Sequence, residues 1–333
     1  MRVLVVKMSS MGDVIHKLPA IEDAKKAIPG IQFDWVIEEG FKEIPAWHDS
    51  VDRVIPIALR RWRKSWLKAL LSGEIKLFIK RLREKRYDVI IDAQGLIKSA
   101  VPAKCARGAL IGFDKSSARE GIASKFYDRE VSVDKSLHAI ERIRQLFARS
   151  LGYEYQETSP SVKLNLNPAE GDKKGVLFLH GTTWPSKHWP DESWLELGKL
   201  LKEKGEAIYI PWATAQERSR AEWLGKKLDV SVLPKLNLTQ IAELMLNARG
   251  VVGVDTGLTH LAALMSVSSI GLYGATSILL TGAMGRYHKN LNIRYECSPC
   301  LEKNCKATNF MGCMKELKAH DVVNRLHILS YDR

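Results

Sequence analysis

A Val-Asp-Thr-Gly-Leu-Thr-His motif that begins at Val254 brings together a carboxylate, two hydroxyls and an imidazole. The apolar run before it predicts a buried parallel strand over Val251–Val254, and the leucine spacing after it predicts a helix over Leu258–Met265. Thr256 and His260 are four positions apart and therefore share a helix face near the N-terminus. Free N–H groups and the helix dipole attract anions there, so the motif predicts an anion site.

Asp255 and Gly257 flank Thr256 in this turn. Asp255 stands where an N-cap residue is expected, since a short acidic side chain can accept a bond from the first helical N–H groups. The segment alone slightly favours an ordinary capped helix with a core histidine. The anion site becomes the stronger hypothesis only with the rest of the chain.

A second loop follows the strand predicted over Gly175–Leu179 and reads His-Gly-Thr-Thr-Trp-Pro-Ser-Lys-His-Trp from His180. Thr182, Thr183 and Lys187 offer hydroxyls and an ammonium, which are suitable phosphate ligands. An ordinary surface loop with an incidental lysine is the alternative.

Glu217 follows the strand predicted over Ala207–Ile210. A carboxylate beyond a strand of a nucleotide-binding domain commonly binds ribose hydroxyls. The alternative is a first-turn glutamate stabilised by the helix dipole.

Asp13 ends the loop Lys7–Asp13, which follows the strand predicted over Val3–Val6. The loop has no Gly-x-Gly-x-x-Gly pattern, so the dinucleotide fingerprint is absent. A carboxylate at a strand's carboxyl end is a candidate general base. A helix cap is the simpler alternative.

Four cations surround a tryptophan in Arg60-Arg61-Trp62-Arg63-Lys64. The spacing onward predicts one basic amphipathic helix over Trp62–Lys85. Such a surface suits an anionic membrane or an acidic substrate, and nucleic acid is a further alternative.

Four cysteines fall close together near the C-terminus. Their spacing is compatible with a structural, tetrahedral zinc site, although reduced and unligated thiols satisfy the same sequence. The candidate ligands are Cys297, Cys300, Cys305 and Cys313.

The 333-residue chain is 45% hydrophobic and 27% charged, with a net charge of +13. This charge predicts an anionic partner or surface. No apolar run reaches the roughly 18 residues of a membrane span, and the N-terminus is unlike a signal peptide. An odd number of cysteines fits a reducing compartment. We therefore expect a cytoplasmic protein.

Strands and helices alternate twice along the chain, which indicates parallel sheets built from βαβ units. The first series has strands at 3–6, 33–37, 53–57 and 88–92, with helices at about 14–28, 62–85, 96–105 and 136–151. The second has strands at 175–179, 207–210, 251–254 and 268–273, with helices at 191–204, 217–228, 238–248 and 258–265.

The polar stretch from Glu157 to Lys174 separates these series, and we expect domains at 1–160 and 161–333, the final helix being a candidate to pack back on the first. The pattern predicts an α/β protein of two Rossmann-like, doubly wound domains facing across a cleft, with ligands beyond the strands' carboxyl ends.

The chain resembles the bacterial lipopolysaccharide heptosyltransferases of glycosyltransferase family 9, and most closely the heptosyltransferase I branch. The similarity covers nearly the whole chain. It is densest at MRVLVVKMSSMGDVIHKLPA, FDWVIEEGF, VIPIALRRWRK, IDAQGLIKSA, LHGTTWPSKHWP, PWATAQE, LPKLNL and VDTGLTHLAA.

The resemblance implies a GT-B fold and inverting transfer of L-glycero-D-manno-heptose from ADP-heptose to Kdo of Kdo2-lipid A. It implies that Asp13 is the base and that Lys187 acts in catalysis. The implied donor residues are Thr182, Thr183, Lys187, Glu217 at the ribose, Leu236 at the adenine, Asp255, Thr256, Gly257 and His260. The implied acceptor residues are Ser10, Gly12, Arg60, Arg61, Arg63, Lys64, Lys98 and Arg119.

No Asp-x-Asp pair occurs in the chain, so we predict that transfer needs no metal ion or other cofactor. We expect a monomer, peripherally bound to the cytoplasmic face of the inner membrane, without a nucleic-acid partner. The alternatives are a heptosyltransferase II, whose acceptor is a heptose, a zinc-stabilised nucleic-acid-binding protein, and a nucleotide-sugar epimerase. The C-terminal cysteines and Tyr273-Gly274-Ala275-Thr276, where the family usually has Tyr-Gly-Pro-Thr, depart from the heptosyltransferase I pattern.

Overall fold

The structure is a computed structural model that describes residues 1–168 and 174–331, with side chains described up to residue 326. The chain forms two compact units. The first comprises Met1–Thr158 and Val162–Asn165, and the second comprises Ser159–Ser161 and the described part of Leu166–Arg333. Part of the predicted boundary segment, residues 169–173, lies outside the described residues.

A six-stranded parallel sheet forms the first unit, in the order β3-β2-β1-β4-β5-β6. Its strands are β1 (Arg2–Val6), β2 (Gln32–Glu38), β3 (Val51–Ile57), β4 (Arg86–Asp92), β5 (Arg107–Phe113) and β6 (Arg129–Val131). The first four were predicted. The last two were missed, because β5 opens with exposed residues and β6 is only three residues long.

The first unit also contains eight helices. They are α1 (Met11–Ile15), α2 (Leu18–Ala27), α3 (Glu43–Ala46), α4 (Leu59–Lys64), α5 (Trp66–Leu71), α6 (Glu74–Arg83), α7 (Ile97–Lys104) and α8 (Ala139–Leu151). The single helix predicted over Trp62–Lys85 is wrong. It is broken at Ser65, whose backbone is not helical, and at Gly73, whose φ of 75° is open to glycine at little cost.

The second unit contains a five-stranded parallel sheet in the order β11-β10-β9-β7-β8. The strands are β7 (Val176–Leu179), β8 (Ile208–Tyr209), β9 (Gly250–Val254), β10 (Ser269–Leu272) and β11 (His288–Leu291). The helices are α9 (Asp191–Glu203), α10 (Ala215–Leu228), α11 (Leu238–Leu246), α12 (Gly257–Leu264), α13 (Ile278–Thr281), α14 (Gly312–Lys315) and α15 (Ala319–Tyr331). Helix α15 packs against α9 and strands β9, β10 and β11.

The predicted α/β class with parallel sheets is confirmed. Strands β7 and β9 are neighbours, with Leu179 paired to Gly253, and β10 lies on the other side of β9. The loops after these three strands therefore leave the same edge of the second sheet. Among the described residues, no helix is long and apolar enough to cross a membrane.

Candidate active site

The carboxylate of Asp13 lies on α1, directly after the loop that follows β1. Ser10, the N-cap residue of α1, donates hydrogen bonds to Asp13 Oδ2 from its backbone N at 3.2 Å and its hydroxyl at 2.8 Å. The other oxygen, Oδ1, lies 3.6 Å from Lys7 Nζ, and the side chain is 37% exposed. The helix-capping role is therefore present at Oδ2, while Oδ1 faces the Lys7 ammonium.

Two buried lysines hold Asp13 in its charged form. Burial alone would raise the pKa of Asp13, but the charges of Lys7, Lys17 and His16, together with the Ser10 hydrogen bond, lower it well below its usual range. Burial in turn lowers the pKa of both lysines, and their mutual repulsion lowers that of Lys17 further. Sequence reasoning did not assign either lysine a role.

Three of the cations predicted for the acceptor line one cavity of about 390 Å³ in the first unit. Its lining residues are Glu38, Glu39, Gly40, Phe41, Arg60, Arg61 and Lys64. The Arg60 guanidinium lies 5.4 Å from the centre of the Phe41 ring, and Arg61 pairs with Glu39 and Glu74 at 3.4 and 2.8 Å. The cavity thus combines free and paired charges with one aromatic face.

Trp62 fixes the cations of α4 in place. Its ring is buried edge-on to Phe78 at 5.8 Å, and its indole N–H donates to Glu74 at 2.8 Å. Because Trp62 points inward, its neighbours Arg61 and Arg63 lie exposed on either side of it.

The remaining acceptor candidates are more scattered. Arg119 is exposed and close enough to Lys7 to help lower the pKa of that lysine. Ser10 and Gly12 lie at the start of α1 with Asp13. Lys98 is exposed on the first turn of α7, where it makes no hydrogen bond or ion pair to any described residue.

In the second unit, Asp255 connects three polar side chains beyond the carboxyl ends of the strands. Its Oδ2 lies 2.7 Å from Lys187 Nζ and accepts a hydrogen bond from Thr276 at 2.6 Å, while Oδ1 lies 3.3 Å from His260 Nε2. Its backbone carbonyl accepts a bond from Thr182 at 3.1 Å. The structure therefore joins the loops after β7, β9 and β10 at one carboxylate.

The N-cap prediction for Asp255 is wrong, because Thr256 occupies that position and α12 begins at Gly257. Burial would raise the pKa of Asp255, but His260 and Lys187 together lower it. The carboxylate is therefore ionised, and its partners compensate its charge. Thr276 was not predicted as a site residue, although it belongs to the unusual Tyr-Gly-Ala-Thr sequence.

The turn that carries Lys187 is supported from outside the loop. Ser186 donates from its hydroxyl to the Glu302 carbonyl at 2.6 Å and from its backbone N to the Lys303 carbonyl at 3.2 Å. The Lys187 ammonium lies 4.5 Å from the centre of the Trp184 ring. Thr183 is exposed and has no hydrogen bond to a described residue, so its hydroxyl is available to a ligand.

Arg220, on α10, forms hydrogen bonds to both ends of the loop that follows β7 and carries Lys187. It donates to the carbonyls of His180 and Trp189 at 3.2 and 2.6 Å and to His188 Nδ1 at 2.8 Å, and it pairs with Asp191. Burial, and then the Arg220 charge, lower the pKa of His180 to about 4 and also lower that of His188. Both histidines are therefore neutral at pH 7, and Arg220 supplies the local positive charge.

Glu217 caps α10 and also faces the Lys187 loop. Its Oε2 accepts bonds from the backbone N of Ala213 and Thr214 at 2.8 and 3.0 Å. Its Oε1 lies 2.3 Å from where a β-carbon at Gly181 would stand, so a larger residue there would displace the Glu217 carboxylate. Leu236 is half-buried directly before Asn237, the N-cap of α11.

The four candidate zinc ligands are near one another, since Cys297, Cys300 and Cys305 add to burial in raising the pKa of the Cys313 thiol. Among the described residues, no three His, Cys, Asp or Glu side chains are arranged to hold a metal ion. Cys313 is buried with Met314 in the core of the second unit, whereas Cys297 is exposed, and the Cys305 sulfur accepts a bond from Met311 N at 3.2 Å. The thiols thus serve different local roles, and Cys313 behaves as a small apolar residue.

Each unit has its own chemical capacity. In the first, an ionised and partly exposed carboxylate can accept a proton. In the second, a lysine, two threonine hydroxyls and the N-terminus of α12 can bind an anion with strongly acidic oxygens. The zinc-stabilised nucleic-acid-binding alternative explains neither arrangement.

The family model, a sequence relative and two solved structures all relate this chain to the heptosyltransferases. A model of glycosyltransferase family 9 (heptosyltransferase) matches residues 75–311. The chain is 49% identical over 310 residues to lipopolysaccharide heptosyltransferase 1 of Pseudomonas aeruginosa, with 92% of this chain and 87% of that protein covered.

Two solved structures of E. coli heptosyltransferase WaaC are also similar. The one with ADP has a TM-score of 0.87 at 43% identity, covering 99% of this chain and 100% of the other. The one with ADP-2-deoxy-2-fluoro heptose has a TM-score of 0.84 at 42% identity, covering 98% and 99%.

Proposed function

The chain belongs to glycosyltransferase family 9, the heptosyltransferases, and from this premise we propose that it transfers L-glycero-D-manno-heptose from ADP-heptose to Kdo of Kdo2-lipid A. The observation that carries the proposal is the Lys187–Asp255 arrangement beyond the strands of the second unit. It occurs in a chain 42% identical to a heptosyltransferase solved with an ADP-heptose analogue. The 49% identity to a heptosyltransferase 1 favours Kdo over a heptose as the acceptor.

The second unit binds the donor. Lys187, Thr182 and Thr183 bind the diphosphate together with the N-terminus of α12 at Thr256 and Gly257. Asp255 carries the same sign of charge as a phosphate, so it acts by holding Lys187 and His260 in place rather than by contacting the phosphates itself.

Glu217 binds the ribose through Oε1, since its other oxygen is already engaged by two backbone N–H groups. Leu236 contacts the adenine. These two assignments follow the family resemblance, and the position of Glu217 beside Gly181 supports the first.

Asp13 is the general base. Its Oδ2 is occupied by Ser10, so Oδ1 accepts the proton from the acceptor hydroxyl. The acceptor oxygen then bonds to the anomeric carbon of heptose while the bond from that carbon to the phosphate oxygen breaks. The base and the leaving group act on opposite faces of the sugar, which inverts the anomeric centre.

Departing ADP gains negative charge in the transition state. Lys187 and the dipole of α12 stabilise that charge, which is the role that a metal ion plays in many other transferases. Transfer therefore proceeds without a divalent ion.

The acceptor is anionic, since it bears Kdo carboxylates and lipid phosphates. Arg60, Arg61 and Lys64 in the 390 Å³ cavity, with Arg63, Lys98 and Arg119, supply the complementary charge. Ser10 and Gly12 position the acceptor beside Asp13. The protein acts as a monomer, bound peripherally at the cytoplasmic face of the inner membrane.

One assay tests the proposal. Purified protein is incubated with ADP-heptose and Kdo2-lipid A, with and without EDTA, and product is followed by mass spectrometry. We expect one added heptose in both samples. No product with Kdo2-lipid A, but product with an acceptor that already carries one heptose, would refute the acceptor assignment, and loss of product with EDTA would refute metal independence.

A further inference from the structure

Helix α5 exposes most of its apolar side chains. Trp66, Leu67, Leu70 and Leu71 have exposed fractions between 56% and 86%, and Ala69 is the one residue of this six-residue helix that is buried. Large apolar side chains clustered on a surface mark an interaction site more often than chance exposure. The helix thus presents an apolar face that no described part of the chain covers.

Helix α6 extends this face and anchors it. Its Phe78 and Leu82 are buried in the core of the first unit with Ala69 of α5, while Leu77 points outward with 48% exposure. These inward residues anchor α5 and α6 in the core of the first unit. The outward residues Trp66, Leu67, Leu70, Leu71 and Leu77 are hereafter called the apolar patch.

The charges beside the apolar patch are almost all positive. Residues 63–83 contain seven cations, all exposed: Arg63, Lys64, Lys68, Lys76, Lys80, Arg81 and Arg83. The one acid in this range, Glu74, is bound by Arg61 and Trp62. No ion pair to a described residue neutralises Lys68, Lys76 or Lys80.

We infer that α5 docks the protein on an anionic bilayer, with the apolar patch inserted among the lipids and the surrounding lysines on the lipid phosphates. Apolar residues flanked by cations are the combination that binds such an interface, and tryptophan favours the headgroup depth. A docking site for an acyl chain of the acceptor would need a concave apolar wall, whereas the cavity beside α4 is lined mainly by charged residues. The inference rests on the proposed membrane location and not on the proposed reaction.

Vesicle binding of the full chain tests this inference, with no acceptor present. The vesicles contain phosphatidylglycerol and phosphatidylethanolamine, and phosphatidylcholine vesicles serve as the neutral comparison. We expect co-sedimentation with the anionic vesicles that weakens as salt is added. Leu71→Asn should reduce binding at least about tenfold.

A matched control comes from the second unit. Leu279 is exposed to 84%, almost as much as Leu71 at 86%, but lies outside the patch. Leu279→Asn should bind vesicles like the unchanged protein. Lys68→Glu should weaken binding because it reverses a charge beside the patch, whereas Lys226→Glu, at an exposed position of α10, should have little effect.

Trp66 reports directly on insertion. Brominated lipid should quench part of the emission from the nine tryptophans, and the quenching should be lost in Trp66→Phe. Equal vesicle binding by Leu71→Asn and the unchanged protein would overturn the role of α5. Failure of the unchanged protein to bind, with self-association that Leu71→Asn abolishes, would instead identify a second copy as the occupant.

Transfer to a soluble, deacylated Kdo acceptor separates this inference from the proposed reaction. Leu71→Asn should retain that activity while losing vesicle binding. Vesicle binding without any transfer would leave the docking surface standing and refute the reaction.

Discussion

The ammonium of Lys187 lies 2.7 Å from Asp255 Oδ2, so the lysine that follows β7 is held by a carboxylate that follows β9. Both side chains are largely buried. The aspartate therefore sets the position of the lysine before any phosphate is present. A phosphate that binds this lysine meets a cation whose orientation is already fixed.

Replacing Lys187 by alanine should lower kcat by about 10²–10³-fold, or about 2.7–4 kcal/mol of transition-state stabilisation, because the leaving ADP loses its cation. Asp255→Asn should give a smaller loss, since Lys187 is kept but less well oriented. Steady-state kinetics with both substrates measure this, and Lys226→Ala is the control. A change confined to the acceptor KM would contradict the donor assignment.

Asp13→Asn should reduce kcat by about 10²–10⁴-fold, since the amide cannot accept the acceptor proton. The affinity for ADP-heptose, measured by calorimetry, should stay within about twofold, because the proposed donor site belongs to the second unit. Ser10→Ala keeps the carboxylate and should retain much of the activity. Turnover near the normal rate in Asp13→Asn would remove the base assignment.

Lys7→Met should change the pH dependence of transfer. The pKa of Asp13 is lowered by Lys7, so the base stays ionised, and the acid limb of kcat/KM in the unchanged protein should lie below about pH 4. Without Lys7, burial raises the pKa of Asp13, and the acid limb should move to higher pH. A uniform loss at every pH would indicate a different role for Lys7.

Arg63→Glu should impair the use of the acceptor and spare the donor. Arg63 is exposed and has no ion pair to a described residue, so its reversal disturbs the surface charge without breaking a structural contact. We expect the acceptor KM to rise at least about tenfold, with an unchanged ADP-heptose affinity. Arg218→Glu is the control, and equal losses for donor and acceptor would contradict the assignment.

Arg220→Met should weaken donor binding by loosening the loop that carries Lys187. Arg220 bonds to carbonyls at both ends of this loop, and a hydrogen bond to a charged group contributes about 1.5–3 kcal/mol. A lower melting temperature and a higher Kd for ADP should appear together. Arg218→Met, whose side chain is 58% exposed and paired with Glu222, should change neither appreciably.

The strands next to the site could be predicted because they are short and uniformly apolar. Strands β1, β4, β7 and β9 fall within a few residues of their predicted positions, and Asp13, Lys187 and Asp255 follow three of them. The basic segment was harder. Its periodicity continues through Ser65 and Gly73, and only the backbone conformation at these two residues reveals three helices.

The residues that hold the candidate site residues in place were not predicted, because the sequence pattern around them does not show which residues they contact. Lys17 is the N-cap residue of α2 and Arg220 lies within α10, and each precedes a buried apolar residue, Leu18 and Ala221 respectively. Such a cation is a clue to a buried contact, but spacing does not identify the partner. Ser186 meets Glu302, 116 positions away, and no local pattern connects them.

Because Ser186 bonds to the backbone at residues 302–303, the segment that precedes α14 stabilises the turn that carries Lys187. Protein engineers who graft the terminal segment of a relative onto this chain would disturb donor affinity unless the turn is exchanged with it. The turn around Ser186 and the segment at residues 302–303 therefore have to be exchanged together.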